Sequence, residues 1–311
     1  MVFDEGPSFE ERPQSNPHFV VSWTELVSRT FTLWGRKLIS YLAIASIPVI
    51  VSIVLNIVIL WLFFGSGAAA FIGLLGTDVL TLLLSILMAV SNPLFFVVSI
   101  ALLFTGVIIS AIVSGAVIKL ALDNYGAPER GDARDSLSFA FGRIITIIGV
   151  QIVVSFILIA FMLPGITMLL LGLLTYDFLM ISYSFLAILL GVTVGYYLSI
   201  RLSAASAVVI AEDLSAIGSL KRAFALSSGE FWHILAGTFL LAIAVGIVSY
   251  IATYAAIPLV LLSGGNILTM LIFTSIVLAA ARIITMPISQ IFLAVLYRDL
   301  AEREHQVTHV W

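Results

Sequence analysis

The chain has 311 residues, of which 61% are hydrophobic and 10% are charged, and its formal net charge is −3. This composition is too apolar for a soluble domain and predicts a protein that is solvated by a lipid bilayer. The small net charge and the dispersed basic residues argue against a nucleic-acid-binding surface. Cysteine is absent, which excludes disulfides, thiol catalysis and thiolate metal sites.

Residues 1–21 are acidic and rich in proline, and they predict a disordered cytoplasmic tail without a cleaved signal peptide. Ser22 and Glu25 then have the spacing of a capping box, which predicts the start of a helix. The apolar face of this helix comprises Trp23, Leu26, Val27, Phe31 and Trp34. We expect the helix to lie in the plane of the membrane surface, where it either orients the next span or docks an anionic lipid or a protein partner.

Six segments reach the roughly 20 apolar residues that a helix needs to cross the bilayer. They are residues 37–64, 93–121, 144–163, 184–202, 233–262 and 268–297. Lysine and arginine cluster at alternate ends of these segments, so both termini are predicted to be cytoplasmic. Residues 22–300 are thus predicted to form one all-α polytopic bundle in the cell membrane, with three hairpins and amphipathic interfacial helices. Residues 301–311 form a short cytoplasmic tail.

Two further hydrophobic stretches, 67–90 and 165–179, complicate the count of spans. Each contains an acidic residue, Asp78 in the first and Asp177 in the second, together with several glycines or a nearby proline. A charged side chain and helix-breaking residues are tolerated at membrane depth where they are buried against protein. We therefore favour interfacial or re-entrant helices on the outer face, which keeps the count at six, and an eight-span arrangement in which both stretches cross the membrane is the alternative.

Small residues recur at every fourth position in two of the spans. They are Ala187, Gly191, Gly195 and Ser199 in the fourth span, and Gly106, Ser110 and Ser114 in the second. Such a face lets another helix approach closely, either within the bundle or in a second subunit. Asn56, Gln151 and Gln290 are expected to form interhelical hydrogen bonds.

A second amphipathic helix is predicted to begin at Ser215, whose side chain can cap it. Its apolar residues are Ile217, Leu220 and Phe224, and the basic residues Lys221 and Arg222 lie beside them. His233 follows at a predicted membrane interface next to Trp232, without the spacing of a metal site, and we expect it to belong to an aromatic belt.

Arg282 lies halfway along the sixth span, where an arginine that faces lipid costs about 2.5 to 3.5 kcal/mol or more. It must therefore face the bundle interior, a water-filled cavity or an anion. One hypothesis is that Arg282 binds an anionic substrate or lipid headgroup. The other is a buried pair, with Asp177 or Asp78 as partner, or hydrogen bonds to backbone carbonyls freed by Pro287.

Residues 201–235 carry an arginine that closes a span, a small and apolar run ending in an acidic residue, a basic alanine-rich helix and a glycine followed by aromatic residues. The matching positions are Arg201, Glu212, Lys221, Arg222, Gly229, Phe231 and Trp232, and the ending at 296–300 also fits. This pattern resembles the glycerophosphoryl diester phosphodiesterase membrane-domain family over the last third of the chain. The proline that often interrupts the small run is missing. The resemblance implies a membrane unit whose catalytic barrel, in the family's phosphodiesterases, is a separate soluble domain.

We find no catalytic constellation, metal cluster or cofactor motif, and expect neither enzymatic activity nor a cofactor. The leading hypothesis is a scaffold or lipid-interacting membrane module, with membrane lipids and either a protein partner or a second copy as partners. The alternative is a transporter or channel for an anionic small molecule. The candidate ligand-binding residues are Arg282, Arg201, Glu212, Lys221 and Arg222. A cavity open to bulk water at Arg282 would favour transport, and one open to lipid would favour the lipid module.

Overall fold

The computed structural model describes residues 21–64, 93–126, 131–262 and 267–308, and every regular element within these ranges is an α-helix. In chain order these helices are α1 (Trp23–Arg36), α2 (Leu38–Phe64), α3 (Pro93–Gly126), α4 (Ala133–Gly142), α5 (Ile144–Thr175), α6 (Phe178–Arg201), α7 (Ala205–Glu212), α8 (Ala216–Leu226), α9 (Phe231–Leu262) and α10 (Ile267–Thr308). Six of them, α2, α3, α5, α6, α9 and α10, contain segments long and apolar enough to cross a membrane. The predicted all-α bundle with six apolar spans is confirmed.

The long helices pack as three antiparallel hairpins, α2 with α3, α5 with α6, and α9 with α10. Helix α10 packs against α2, α3 and α9, and these four helices are called the central bundle here, whereas the α5–α6 hairpin lies beside it. The four short helices α1, α4, α7 and α8 pack around one end of the long helices and form a layer that we call the platform.

The tightly packed core lies at the platform end of the central bundle. Its largest fully buried side chains include Tyr41 and Ile44 at the start of α2, Ile118 near the end of α3, and Ile288 and Phe292 in α10. The α2 and α3 positions are close to the end of the helix that meets the platform, and the α10 positions lie between the middle of that helix and its platform end. The candidate site lies further from the platform, beyond these side chains.

Helix α5 continues through Pro164 as far as Thr175, so the predicted separate helix over 165–179 is wrong. Proline removes one backbone hydrogen bond, but the flanking turns keep theirs and the helix is not interrupted. The chain reverses at Tyr176, which adopts the left-handed conformation with φ 55°. Asp177 then caps α6 by accepting hydrogen bonds from the backbone N–H groups of Leu179 (2.9 Å) and Met180 (3.1 Å). The other stretch, 67–90, lies outside the described residues.

The small residues of α6 face α5. A Cβ atom at Gly191 would overlap the backbone carbonyl of Phe161, and one at Gly195 would lie 3.0 Å from a methyl carbon of Leu158. From the α5 side, Gly165 lies against the backbone of Ile188. Glycine on both helices therefore allows the two backbones to pack closely along the hairpin.

The two amphipathic helices begin where predicted. Ser22 accepts a hydrogen bond from the N–H of Glu25 (3.3 Å) at the start of α1, and Ser215 accepts one from Gly218 (3.3 Å) at the start of α8. Much of the apolar face of α1 is buried, and this helix packs against α9 and α10. Helix α8 buries Leu220 but leaves Ile217 and Phe224 exposed. Both helices are thus integrated into the platform through part of their apolar faces.

Candidate functional site

A cavity of about 1020 Å³ lies among the four helices of the central bundle. Most of the side chains that line it are apolar: Pro48, Val49, Val51, Ile53, Leu55, Leu102, Ile109, Leu278, Ala279, Ala281 and Met286, with Gly106 completing this part of the wall. The polar residues of the described lining are Arg282 and five with hydroxyl side chains: Ser52, Ser110, Ser249, Thr253 and Thr285. The described lining therefore combines an apolar wall with one cation and several neutral hydrogen-bonding groups.

Arg282 lines this cavity midway between Ile267 and Tyr297 of α10. It lies fifteen positions from each of them, which corresponds to about 22 Å of helix in each direction. Within the described ranges, no residue forms a hydrogen bond or an ion pair with its guanidinium group. Asp177, one of the acidic partners considered above, caps α6 instead, and Asp78 lies outside the described residues. The guanidinium therefore presents its hydrogen-bond donors to the cavity.

The hydroxyl groups are arranged so that they can accept as well as donate. Ser249 donates to the carbonyl of Val245 (3.0 Å), Thr253 to that of Ser249 (2.9 Å) and Thr285 to that of Ala281 (2.9 Å). The proton of each of these three hydroxyl groups is thus bonded to a carbonyl of its own helix. The lone pairs on the hydroxyl oxygen remain available to accept a hydrogen bond from a ligand. Because every helix of the central bundle contributes at least one hydroxyl, the polar lining surrounds the cavity.

A hydrogen bond between α3 and α10 lies on the platform side of the cavity. Ser114 of α3 donates a hydrogen bond to the side-chain oxygen of Gln290 in α10 (2.7 Å), about two turns from Arg282. This contact confirms the interhelical hydrogen bond expected for Gln290, and the packed core lies beyond it. Ser110 and Gly106, further from the platform on the same face of α3, line the cavity. A Cβ at Gly106 would meet no atom within 4 Å, so close helix packing is not found at that residue.

Arg201 forms hydrogen bonds with residues at the end of the platform helix α8. Its guanidinium donates to the hydroxyl of Ser227 (2.7 Å) and to the backbone carbonyl of Phe224 (2.8 Å), and it lies 4.0 Å from the centroid of the Phe224 ring. Carbonyls in the last turn of a helix lack intrahelical partners, and a basic side chain is one way to satisfy them. Arg201 therefore joins the end of α6 to the end of α8.

Glu212 and Arg222 form a second platform cluster with Glu304 of α10. Arg222 lies 3.1 Å from Glu212 and 2.6 Å from Glu304, and Tyr297 donates a hydrogen bond to Glu212 (3.0 Å). The hydrogen bond with Glu304 raises the pKa of Arg222, burial opposes this effect, and Glu212 raises the pKa further. Two carboxylates share this one arginine, so the cluster is a poor receptor for a further anion.

Lys221 completes the set of predicted ligand-binding residues. It is exposed on α8, and no residue in the described part of the chain forms an ion pair or hydrogen bond with it. The predicted residues therefore occupy separate places: Arg282 lies in the cavity, Arg201 and the Glu212–Arg222 pair lie in two platform clusters, and Lys221 lies on the surface. They do not form one site.

Asp299 is the buried charge that sequence reasoning missed. Its side chain has no solvent exposure, and it accepts hydrogen bonds from the backbone N–H of Val21 (2.8 Å) and from Arg303 (3.0 Å). It also contacts Nε2 of His233 at 2.9 Å. The assignment of His233 to an aromatic belt is therefore wrong, because α9 turns this ring towards a carboxylate on α10. The spacing of Asp299 and Arg303 by four residues was the available signal.

No protein-family model, no curated protein and no solved structure matches the chain. Within the ranges that the structure describes, no group of three His, Asp or Glu side chains is arranged to hold a metal ion. The function is therefore argued from the chemistry of the cavity around Arg282.

Proposed function

We propose that this integral membrane protein is a non-catalytic, lipid-interacting module of the cell membrane, which holds the anionic headgroup of a membrane amphiphile at Arg282. The proposal rests on one observation. Arg282 lines a largely apolar cavity midway along the apolar part of α10, and its guanidinium has no polar partner among the described residues. In this proposal the platform faces the cytoplasm, as the distribution of basic residues predicts.

The energetics favour an anion at this position. Arginine at the centre of a membrane-crossing helix costs about 2.5 to 3.5 kcal/mol on insertion scales, and an anionic ligand would offset part of that cost. The apolar wall supplies a surface on which hydrocarbon can pack, whereas a small hydrophilic anion would leave that surface in contact with water. An amphiphile supplies an anionic headgroup to Arg282 and hydrocarbon to the apolar wall.

A transporter for an anionic small molecule is the second candidate. The observation in its favour is the set of five hydroxyl side chains, which could replace part of an anion's hydration shell. The Ser114–Gln290 hydrogen bond and the packed core lie on the platform side of the cavity. A transport path through the central bundle would have to pass these contacts.

Native mass spectrometry of the protein in mild detergent tests the proposal. The wild type is compared with Arg282→Gln, which keeps hydrogen-bonding capacity but removes the positive charge. We expect the wild type to retain an anionic amphiphile and the variant to lose most of it. Arg298→Gln is the matched control, because Arg298 is an exposed arginine at the platform end of the same helix.

Three results would overturn the proposal. They are wild-type protein without any bound anion, equal retention by wild type and Arg282→Gln, and equal loss in both arginine variants. Retention of a water-soluble anion with no hydrocarbon part would instead support the transporter. Circular dichroism of each variant establishes that the helix content is unchanged before the retained mass is compared.

A further inference from the structure

We infer that the cavity selects a lipid with a single negative charge and an uncharged, hydroxyl-bearing headgroup, of the phosphatidylglycerol type. The inference rests on the proposed function, because it names the class of amphiphile that Arg282 would hold. It follows from three properties of the lining: its charge, its hydroxyl groups and its apolar wall.

Charge is the first property. Arg282 is the one ionisable side chain among the described lining residues, and no carboxylate accompanies it there. A phosphodiester with one negative charge would therefore be neutralised by one guanidinium, whose planar donors suit bidentate binding of phosphate oxygens. A zwitterionic lipid would also bring an ammonium group into the cavity, where the described lining offers no anion to pair with it. An unpaired charge in such surroundings is unfavourable.

The hydroxyl groups are the second property. Ser249 and Thr253 lie one turn apart on α9, and Ser110 and Thr285 extend the polar lining onto α3 and α10. A hydroxyl can accept one hydrogen bond while it donates another, so such side chains match the hydroxyls of a glycerol headgroup. Because these hydroxyl groups are neutral, they do not alter the pairing of the single positive charge of Arg282 with the single negative charge of one phosphate.

The apolar wall is the third property, and it favours a lipid over a free glycerol phosphate. The volume of about 1020 Å³ lies at the upper end of the roughly 300 to 1,000 Å³ that small-molecule pockets occupy. Ile53 of α2 and Leu278 of α10 line the cavity and are themselves 45% and 43% exposed. Hydrocarbon in the cavity would therefore be continuous with surface that faces lipid.

The test is lipid exchange followed by native mass spectrometry. Wild-type protein in mild detergent is equilibrated with an equimolar mixture of phosphatidylglycerol and phosphatidylethanolamine that carry the same acyl chains. We expect phosphatidylglycerol to be retained about tenfold more than phosphatidylethanolamine, a ratio that corresponds to about 1.4 kcal/mol. This comparison needs no variant, so it does not depend on the folding of a mutated protein.

Two variants assign the selectivity to the cavity. Arg282→Gln is expected to lose both the retained lipid and the preference. The double change Ser249→Ala and Thr253→Val removes two hydroxyls but keeps the charge, and we expect it to retain phosphatidylglycerol with a reduced preference. Excess glycerol 3-phosphate, added as a soluble competitor, should leave the bound lipid in place.

The possible results test the headgroup inference and the proposed lipid-interacting function separately. If retention depends on Arg282 but both lipids bind equally, the headgroup inference is wrong and the lipid-interacting function stands. If no retained lipid depends on Arg282, the proposed function itself is wrong. Displacement of the lipid by glycerol 3-phosphate would show that the site recognises a soluble anion, which contradicts the lipid inference and favours the transporter.

Discussion

Asp299 receives hydrogen bonds from the segment that precedes α1 and from α10, and it contacts His233 of α9, although its side chain has no exposed surface. A buried carboxylate is tolerated when it is paired and its lone pairs are satisfied. Arg303 strengthens the arrangement by donating to the carbonyl of Val21 (2.7 Å) as well as to Asp299. The start of the described chain is therefore fastened to the platform end of α10 through polar contacts.

We predict that Asp299→Asn destabilises the protein by about 1 to 3 kcal/mol, because it removes the buried charge that Arg303 is bonded to and leaves Arg303 with Glu230 (3.4 Å) as its carboxylate partner. Thermal unfolding in mild detergent, followed by circular dichroism, measures the change. Asp213→Asn is the control: Asp213 pairs with Arg143, but its side chain is 61% exposed, and such pairs contribute about 0 to 1 kcal/mol. Equal falls in the unfolding temperature of the two variants would contradict the prediction.

Arg282 and Asp299 differ in how readily their sequence positions reveal them. Arg282 interrupts a long apolar segment, so hydropathy alone makes it conspicuous. Asp299 follows the apolar part of its helix, in a region where charged residues are ordinary. Its contact with His233 joins positions 66 residues apart and depends on how α9 packs against α10. A single sequence does not encode that packing in any local pattern.

In the α5–α6 hairpin, the first helix is longer than its sequence predicts. The third span, which forms the first helix of this hairpin, was predicted to end at residue 163, because residues 165–179 with Asp177, glycines and a nearby proline were assigned to a separate helix. The helix instead continues to Thr175, and Gly165 lies in close contact with the backbone of α6. Local propensity was outweighed by packing between helices, which single-sequence patterns do not describe.

We predict that Gly191→Ala destabilises this hairpin by about 1 to 3 kcal/mol, because the added methyl would overlap the carbonyl of Phe161 and force the helices apart. Unfolding temperature in mild detergent measures the effect. Gly246→Ala in α9 is the matched control, since a Cβ there would meet no atom within 4 Å and alanine is the better helix former. A loss as large in Gly246→Ala would contradict close packing as the cause.

At the scale of the whole molecule, the basic residues gather at the platform end, where Arg29, Arg143, Arg201 and Arg222 all contact platform residues or the ends of long helices. Burial lowers the pKa of Arg29, but its interactions with Tyr125 and Glu25 together outweigh burial and raise the pKa above its ordinary value. The sequence predicted three comparable hairpins, but two of them form the central bundle and one lies outside it. Hydropathy identifies the spans but does not specify which of them are in contact. The resemblance to the glycerophosphoryl diester phosphodiesterase membrane-domain family stays a prediction.

We predict that the platform faces the cytoplasm, and the absence of cysteine allows a direct test. Ser228→Cys places a thiol on the platform, and Thr175→Cys places one at the opposite end of the α5–α6 hairpin. In intact cells, a membrane-impermeant maleimide should label Thr175→Cys and should label Ser228→Cys only after permeabilisation. The wild type is the unlabelled control, and the reverse pattern would contradict the predicted orientation.

The outlying position of the α5–α6 hairpin has a mechanical consequence. Contacts with the rest of the protein are found near the platform, where Gly149 lies close to Ala216 and the rings of Tyr197 and Phe231 are 5.0 Å apart. From Gly149 to Thr175 the helix extends about 39 Å. Because these contacts hold the hairpin near one end, lateral pressure from lipids at its far end would exert torque on the platform. Changes in bilayer tension or thickness would thereby reach α7 and α8 without passing through the cavity.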